Sequence, residues 1–372
     1  MDIAFLFIAE PYQCYHGLAV AFELRRIPGV RVAIHYNDPE SLHHFERIRH
    51  AYGEAPFEYI RMKRNLFAKL VERIGIFGFA KQSVYRSSEP ELLKYHAIFT
   101  VEDTAFRLFE NRAETLRPRK IYLPHGAGDG TVGFSPRLRS FDYVLLPGPK
   151  SAERMLALKH IRPDNHREVG LVKLETAERL ARASGPLFET ARPTVLYNAH
   201  KTRGLQSWSR FIEPMLADFA ARDAYNLIVA PHVKLFRRRG ARTKAYWRSR
   251  STANILIDVG SDRSVDMSYT RAADIYVGDI SSQVYEFLAH PRPCVFLNAY
   301  DIDWKADPAF AHWHLGDVIS RPQDLMPAIE AAPARHHLYR DRQEARAAAS
   351  LGDRSPGAAA RAAEATVAFL RR

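Results

Sequence analysis

Short apolar runs that alternate with helical patterns restrict the fold of this 372-residue chain more than any other feature of its sequence. Alternation of buried strands and helices with short links is typical of a parallel α/β sheet. The first half contains six predicted strands: Ile3–Ala9, Val30–Tyr36, Ala97–Val101, Lys120–Pro124, Asp142–Leu146 and Glu168–Leu171. Three helices are predicted between them: Gly17–Arg26, Asp103–Leu116 and Lys150–Leu158.

The same alternation restarts after a helical pattern at Leu174–Ser184 and a linker that contains Gly185-Pro186 and Arg192-Pro193. The second set of predicted strands comprises Thr194–Asn198, Asn226–Pro231, Asn254–Asp258, Asp274–Gly278 and Cys294–Asn298. The helices among them are Gln206–Ala221, Val265–Ala272, Ser282–His290 and Pro322–Ala331. We therefore expect an α/β protein with two Rossmann-like domains facing a cleft, residues 1–185 and 186–335. A helical tail, residues 336–372, is expected to pack back on the body.

The charge balance points to an anionic partner. Fifty-four Lys and Arg residues against 42 Asp and Glu give a formal net charge of +12. Such an excess suits a nucleic acid, an anionic membrane surface or a phosphorylated substrate. The basic residues are spread over both halves and no RNA-binding motif occurs, so nucleic acid is not the expected partner. Two cysteines without a CxxC or CxxH context disfavour a zinc module and a disulfide framework, and they fit a reducing cytoplasm.

Several common catalytic signatures do not occur. The chain has no GxxxxGK[ST] loop, no GxSxG elbow and no HExxH. The first strand is not followed by GxGxxG, which disfavours a dinucleotide-dependent dehydrogenase. The one DxD, Asp301-Ile302-Asp303, follows the last predicted strand, where a solvated acidic loop is the simpler interpretation. Neither a metal ion nor a cofactor is therefore predicted.

The first candidate site lies in the stretch IYLPHGAGDG, directly after the predicted strand Lys120–Pro124. In parallel sheets, ligands bind beyond the carboxyl ends of the strands, which is where His125 falls. A neutral histidine there can take a proton from an attacking hydroxyl. The residues behind it form an acceptor-side loop that includes Gly126, Gly128, Asp129 and Gly130. Glycines let backbone N–H groups approach an anion, although the same residues would also make a plain turn.

The second candidate site follows the predicted strand Asp274–Gly278, where Asp279 precedes Ser281 and Ser282 at the start of a helix. Serine at this position caps free N–H groups, and the same amides and hydroxyls can bind a phosphate. Glu286 lies about one turn along the helix, where its carboxylate could accept ribose hydroxyls. The pattern indicates either a plain cap or a nucleotide site.

Two further strand ends in the second half carry basic residues. The stretch ending in Pro231-His232 is followed by Lys234, and His200 follows the strand Thr194–Asn198. Each is compatible with a solvated basic loop. Each is also compatible with contacts to the diphosphate of a donor, and their positions at strand ends place them on the cleft side.

Residues 61–82 combine apolar and basic side chains at helical spacing. The apolar face comprises Leu66, Phe67, Leu70, Val71, Ile74 and Phe77, and the flanking basic residues are Lys63, Arg64, Lys69, Arg73 and Lys81. Such a helix either covers a core or lies in an anionic lipid interface. The N-terminal apolar run is too short to span a bilayer and predicts a buried strand. We expect a cytoplasmic protein, with peripheral attachment to the inner face of the plasma membrane as the alternative left open.

Taken in order, these stretches resemble the CDP-glycerol glycerophosphotransferase family, the teichoic-acid polymer enzymes of GT-B fold. The matching segments are Pro124-His125-Gly126, Thr194-Val195-Leu196-Tyr197, Ala230-Pro231-His232, Asp279-Ile280-Ser281-Ser282 and Pro293-Cys294-Val295-Phe296. The likeness covers about residues 95 to 300, and the Asp-x-Ser-Ser block is its most specific part. Two departures are Val233, where the family usually has proline, and Gly278-Asp279-Ile280, where the family usually has Thr-Asp-Tyr.

The resemblance implies transfer of a phospho-polyol from a CDP-activated donor to a hydroxyl of a cell-surface glycan or lipid-linked acceptor. It implies His125 as the general base, and His232 as a second catalytic residue near the donor diphosphate. The implied donor-binding set is Asp279, Ser281, Ser282, Glu286, His200 and Lys234. Glu286 and Pro293 are also spaced as in the ribose-binding helix of GT-B sugar transferases, so a nucleotide-sugar donor remains the alternative.

Overall fold

The computed structural model describes residues 1–73, 77–129, 131–182 and 185–372, with the side chains of 71–80 and 131–132 outside the description. The chain forms two compact units. The first comprises Met1–Ala127, Thr131–Ala183 and Ala349–Arg372, and the second comprises Gly128–Gly130 and Ser184–Ala348. The predicted domain boundary near residue 185 is next to residues 183–184, which lie outside the described residues. Gly130 and Ile74, which belong to predicted sites, lie outside the described residues as well.

The first unit contains a seven-stranded sheet in which every pairing is parallel. Its strands are β1 (Asp2–Phe7), β2 (Arg31–Tyr36), β3 (Glu58–Arg61), β4 (Ala97–Thr100), β5 (Arg119–Tyr122), β6 (Tyr143–Leu146) and β7 (His166–Glu168). They are ordered β3-β2-β1-β4-β5-β6-β7. The chain therefore moves to one side of β1 first and then to the other, so a topological switch point lies between β1 and β4. Crevices that bind ligands form at the carboxyl edge of such a point.

The second unit contains a six-stranded sheet, also parallel throughout. Its strands are β8 (Thr194–Asn198), β9 (Asn226–Val229), β10 (Ile255–Ile257), β11 (Ile275–Gly278), β12 (Cys294–Leu297) and β13 (Asp317–Ile319). The order is β10-β9-β8-β11-β12-β13, which places the switch point between β8 and β11. Strands β8, β9, β11 and β12 are buried along their whole length, because helices cover both faces of a parallel sheet.

Helices follow most of the strands. The α-helices are α1 (Leu18–Arg26), α2 (Glu40–Tyr52), α3 (Leu66–Arg73), α4 (Phe77–Leu92), α5 (Pro149–Ala157), α6 (Val172–Ala181), α7 (Trp208–Ala221), α8 (Ala241–Arg248), α9 (Ser268–Ala272), α10 (Gln283–Phe287), α11 (Leu325–Arg335), α12 (Arg340–Leu351) and α13 (Ala358–Leu370). The 3-10 turns are Pro11–His16, Asp103–Arg107, Glu114–Leu116, Thr131–Phe134, Pro136–Ser140, Val233–Leu235, Asp262–Ser264, Pro308–Leu315, Pro322–Asp324 and His336–Leu338.

The prediction of two parallel α/β units with C-terminal helices packed on the body is confirmed. Helix α13 packs on α1, α6 and β6 of the first unit, where Phe369 stacks on Tyr143 with ring centroids 4.5 Å apart. The stacked Phe369 ring helps to hold the C-terminal helix against the first sheet. An aromatic pair of this kind adds to the stabilisation that burial of the two rings provides.

Several predicted elements need correction. The helix expected at Asp103–Leu116 is two separate 3-10 turns, because Phe109 adopts a left-handed φ of 62° that interrupts a right-handed helix. Strand β7 covers His166–Glu168 instead of Glu168–Leu171. Four elements were not predicted: β3, α2, α8 and β13. In α2 the buried face includes Ser41 and His44, so the apolar periodicity that would have indicated a helix is weak.

Candidate functional site

Three adjacent strand ends of the second sheet bring the predicted donor residues together. His200 follows β8, His232 follows β9 and Asp279 follows β11. The backbone N–H of His200 donates to Asp279 Oδ2 at 2.8 Å, and the N–H of His232 donates to the Ala199 carbonyl at 2.8 Å. The two imidazole rings are perpendicular, with centroids 6.1 Å apart. Residues 32 positions apart in sequence therefore form one histidine pair beside the switch point.

Hydrogen bonds set the neutral tautomer of both rings. The Nδ1 of His200 accepts the Thr202 backbone N–H at 3.2 Å, and the Nδ1 of His232 accepts that of Lys234 at 3.1 Å. In a neutral imidazole the proton must then reside on Nε2, which becomes a donor. Burial, with the positive charge of Lys201 nearby, lowers the pKa of His200 to about 4. The pair is thus arranged to donate hydrogen bonds to an anion.

Asp279 has a different role from the one predicted for it. Its side chain is fully buried, and Oδ2 accepts backbone N–H groups of His200 and Ser207 at 2.8 and 2.9 Å. Its backbone carbonyl accepts from His312 Nε2 and Trp313 Nε1, both at 3.3 Å. A carboxylate without exposed surface does not contact a bound donor directly. We therefore correct the prediction: Asp279 is a positioning residue that holds the loop after β8.

The buried carboxyl of Asp279 leads to a pH prediction. Burial raises its pKa to about 7, and the opposing hydrogen bonds from Ser207 and His200 do not offset this effect. The usual carboxyl pKa in an unfolded chain is about 4. Because the folded state holds the proton over this interval and the unfolded state does not, stability should fall as pH rises from about 4 to about 7. Asp279→Asn cannot titrate, so the Tm of the wild type relative to this variant should decrease from pH 5 to pH 7. A difference in Tm that is independent of pH would contradict the assignment.

The two serines of the second candidate site differ in exposure. Ser281 is buried, and its Oγ accepts the Gln283 N–H at 3.3 Å, which is the capping role. Ser282 is exposed and its side chain makes no capping hydrogen bond. Glu286 lies half-buried on the following helix, which is shorter than predicted and ends at Phe287. Of the two hydroxyls, Ser282 is the one accessible to a ligand.

Gly128 lies directly against Ser282. A Cβ atom placed on Gly128 would be 3.0 Å from the Cβ of Ser282, so only glycine fits at this distance without displacement. By contrast, Gly126 has open space around its Cα. Close packing therefore favours glycine at position 128, and the glycine at 126 leaves room beside His125.

Asp129 was predicted as part of the acceptor-side loop, and the structure instead places its carboxylate inside the second unit. It is 5% exposed and accepts hydrogen bonds from Tyr285 and from Arg346 Nη2, the latter at 2.6 Å. The Nδ1 of His312 lies 3.6 Å from its Oδ2, and Arg346 Nε also donates to the Tyr285 hydroxyl at 3.1 Å. The sequence could not show this because Asp129 is more than 150 residues from its partners.

The first unit presents His125 with the opposite tautomer. The ring is exposed, and its Nδ1 lies 3.0 Å from the backbone carbonyl of Val101. A carbonyl accepts only, so Nδ1 carries the proton and Nε2 of the neutral ring is an acceptor. The Nε2 has no hydrogen-bond partner within the described part of the chain. Val101 directly follows β4, so the orientation of this candidate base is set at the switch point of the first sheet.

Comparison with solved structures identifies the fold. The chain aligns over 100% of its length with 97% of MnaA from S. aureus in complex with UDP, with a TM-score of 0.66 and 12% identity. It aligns over 100% with 88% of the wall teichoic acid polymerase TagF soaked with CDPG, with a TM-score of 0.64 and 13% identity. It also aligns over 99% with all of the UDP-GlcNAc 2-epimerase from Neisseria meningitidis bound to UDP-GlcNAc, with a TM-score of 0.62 and 11% identity. The fold is GT-B.

At these identities the likeness establishes the GT-B fold and not the reaction. No model of a protein family matches the chain, and no curated protein matches it in sequence. The substrate therefore has to be inferred from the side chains at the strand ends.

The two sites of this GT-B chain contain side chains that sequence reasoning missed. In the second unit these are Tyr285, Arg346 and His312, which surround Asp129. In the first unit they are His16, whose ring lies edge-to-face against that of His125, and Lys173, whose charge acts on His16. His16 follows the first strand in PYQCYHG, and its position at a strand end was the available signal. Nothing in the sequence pattern distinguishes Lys173 from the many exposed lysines.

Proposed function

We propose that this protein is a transferase that moves a phospho-polyol group from a CDP-activated donor to a hydroxyl of a cell-surface glycan or lipid-linked acceptor. The observation that carries the proposal is the histidine pair His200–His232, which presents ring N–H donors at the switch point of the second sheet. The pair is accompanied by exposed Ser282. Hydrogen-bond donors that are held rigidly at a strand end suit the diphosphate of a nucleotide, because its oxygens accept several hydrogen bonds.

The donor diphosphate would bind to the His200 and His232 rings and the Ser282 hydroxyl, with exposed Lys234 adding positive charge. Glu286, one turn beyond Ser282, would accept the ribose hydroxyls. Two of the similar structures contain UDP or were soaked with CDPG. They support a nucleotide-activated donor for a protein of this fold.

The transfer would proceed without a metal-dependent step. The acceptor hydroxyl gives its proton to Nε2 of His125 as its oxygen forms a bond to the phosphorus that carries the polyol. The bond between that phosphorus and the oxygen bridging to the nucleotide breaks, and the nucleoside monophosphate leaves. His232 would donate its Nε2 hydrogen bond to the departing phosphate. General-base catalysis and preorganised donors each contribute to such a step.

A nucleotide sugar is the second candidate donor. Glu286 and Pro293 have the spacing expected of a ribose-binding helix in GT-B sugar transferases, and two similar structures contain UDP or UDP-GlcNAc. In that case the same phosphate contacts would be used, and a glycosidic bond would form in place of a phosphodiester.

A donor panel distinguishes the two candidates. CDP-glycerol, CDP-ribitol, UDP-GlcNAc and UDP-glucose would each be added to the protein while thermal unfolding is recorded. A ligand at 100 times its Kd stabilises the folded state by about 2.7 kcal/mol, so the true donor should raise the Tm by several degrees. We expect the CDP-polyols to do so and His232→Ala to reduce the shift. An increase in Tm with the UDP-sugars alone would show that the donor is a nucleotide sugar and not a CDP-polyol. The control variant is His337→Ala, which changes an exposed histidine.

We also propose that helix α3 attaches the protein to an anionic membrane. Leu66, Phe67 and Leu70 are 85%, 54% and 59% exposed, whereas Ala68 is buried in the core of the first unit. Their exposure supports the lipid interface over the alternative that these three side chains cover a core. Exposed Lys69 lies on the same helix, and such a combination suits a lipid interface. Among the described residues, no helix has both the length and the apolarity to cross a bilayer.

Replacement of Phe67 and Leu70 by serine should weaken binding to liposomes containing phosphatidylglycerol by about tenfold or more, because it removes two interfacial anchors. Activity on a soluble acceptor should remain. Leu116→Ser changes a leucine that is 70% exposed elsewhere in the first unit and is the matched control. Liposome flotation measures the binding. Equal flotation of the double variant and the Leu116 control would refute the role of α3.

A further inference from the structure

The loop and helix that follow β9 concentrate the positive charge of the chain. Residues 224–257 contain eight Lys and Arg residues and no Asp or Glu, which places +8 of the formal net charge of +12 in this stretch. All eight cations lie within residues 234–250, which we call the basic segment. The segment begins two residues after His232, so it is continuous with the proposed donor edge of the second sheet. Charge of one sign at this density attracts polyanions.

The basic segment is anchored to the second unit at defined points. Phe236 is buried in the core, and Trp247 of helix α8 packs edge-to-face on Trp208 with ring centroids 4.9 Å apart. Directly after the helix, the Arg250 guanidinium donates to both carboxylate oxygens of Glu213, at 2.6 and 2.8 Å. The charged side chains between these anchors are therefore presented from an ordered support.

Most cations of the basic segment lack a counter-charge. Across the part of the chain that the structure describes, five of them make no side-chain hydrogen bond or ion pair: Arg238, Arg239, Arg242, Lys244 and Arg248. The acids that flank the stretch in sequence are bonded elsewhere. Asp223 accepts from Arg192 at 2.6 Å, and Asp258 accepts from the Tyr269 hydroxyl at 2.8 Å. The positive charge of the segment is thus not neutralised by ion pairs of its own.

The charges do not serve the stability of helix α8. Its first turn contains no acid, and Arg242 there opposes the positive end of the helix dipole. Lys244 and Arg248 are one turn apart, where like charges destabilise a helix. An arrangement that disfavours the helix in isolation becomes favourable when an anion binds along it.

The side chains of the basic segment also select among anionic partners. A lipid interface needs several apolar anchors, and within this fully described segment Tyr246 is the one exposed large apolar side chain, at 56%. Single-stranded nucleic acid is bound through aromatic platforms, but Trp247 packs against the core. The surface therefore fits a flexible phosphate chain that has neither acyl chains nor bases.

We propose that the basic segment binds the anionic polymer that the proposed reaction extends, a chain of polyols joined by phosphodiesters. The inference rests on the proposed function, because each transfer adds one phosphodiester, and so one negative charge, to the acceptor. A chain held by the segment stays on the enzyme between transfers, so several units are added before it is released. The basic segment thereby sets product length and leaves the single transfer to the strand ends.

Polymer binding without any donor tests the surface. A fluorescent glycerol phosphate oligomer is titrated at low salt into the wild type and into a basic-segment variant that combines Arg238→Gln, Arg239→Gln, Arg242→Gln and Arg248→Gln. We expect its affinity to fall at least tenfold, because polyanion binding depends on the cations that replace the counterions of the chain. Lysine at the same four positions keeps the charge and should keep the binding.

The control variant removes the same net charge elsewhere. It combines Arg340→Gln, Arg342→Gln, Arg371→Gln and Arg372→Gln, which change four exposed arginines. Equal affinity of the two quadruple variants for the oligomer, or no binding by the wild type, would overturn the proposal. If the basic-segment variant does not fold, the pairs Arg238→Gln with Arg239→Gln and Arg242→Gln with Arg248→Gln are titrated separately, and wild-type affinity in both overturns it.

Parallel measurements separate other partners and the proposed function. Phosphatidylglycerol vesicles and a single-stranded DNA oligomer are titrated into the same variants. Loss of vesicle or DNA binding in the basic-segment variant, with oligomer binding retained, would overturn the assigned partner. With CDP-glycerol as donor, shorter products at an unchanged initial rate support the proposal, and products of unchanged length contradict it. Oligomer binding that depends on the basic segment, without any polyol transfer, would refute the proposed reaction and leave the binding surface standing.

Discussion

Replacement of His125 by alanine is expected to lower the turnover number by about 10²–10⁴-fold while leaving donor binding within a factor of two of the wild type. The reduction has the size that loss of a general base usually causes. The physical reason is the tautomer: the Val101 carbonyl fixes the proton on Nδ1, so Nε2 of the exposed ring is an acceptor. The proposed donor site is made by residues of the second unit, so the Tm increase produced by the donor should persist.

The control for this variant is His337→Ala. His337 is also exposed, and its Nδ1 also bonds a backbone carbonyl, that of Ala334 at 2.8 Å. Its replacement removes a similar interaction without affecting either strand edge, so turnover should be unchanged. Turnover within threefold of the wild type would exclude His125 as the base.

The second large effect is expected at Asp129, whose replacement by alanine should destabilise the protein by about 3 kcal/mol. The change leaves Arg346 and Tyr285 without the acceptor they share, and breaking one partner of a buried ion pair is costly. Arg346 is 29% exposed and regains some hydration, so the cost should fall at the low end of the range for such pairs. If the 372-residue chain unfolds cooperatively, the Tm should fall by roughly 4 °C. Asp341→Ala, an exposed acid on helix α12, is the control and should change the Tm by less than about 2 °C.

A double-mutant cycle separates this pair from a general effect of burial. Arg346→Met alone should also destabilise the protein, because it removes the guanidinium partner of the buried Asp129 carboxylate. The double variant should lose less than the sum of the two, since neither charge is then left alone. Additive losses would show that Asp129 and Arg346 do not stabilise each other. Because Gly128 lies against Ser282, Asp129→Ala should also raise the KM for the donor more than it lowers the turnover number.

The parallel α/β class was predictable because it depends on local patterns. A buried parallel strand needs a continuous apolar run, as in Tyr143–Leu146 and Cys294–Leu297, and both were found to within two residues. Helices with mixed faces were harder to detect. Helix α2 buries Ser41 and His44, and its polar side chains conceal the periodicity that the backbone follows. The helix predicted at Asp103–Leu116 failed because the left-handed Phe109 is set by packing and not by residue type.

The sequence by itself determined the chemical groups at the strand ends. His125, His232, His200 and Ser282 could be selected because a strand end is recognisable from the order of apolar and polar residues. Only the tertiary structure decided what each group does. It buried Asp279 beneath the loop it holds, paired His200 with His232, brought Asp129 to Arg346 and set His16 beside His125. Hydrogen-bond partners, burial and tautomers depend on contacts between residues far apart in the chain, and no local pattern encodes them.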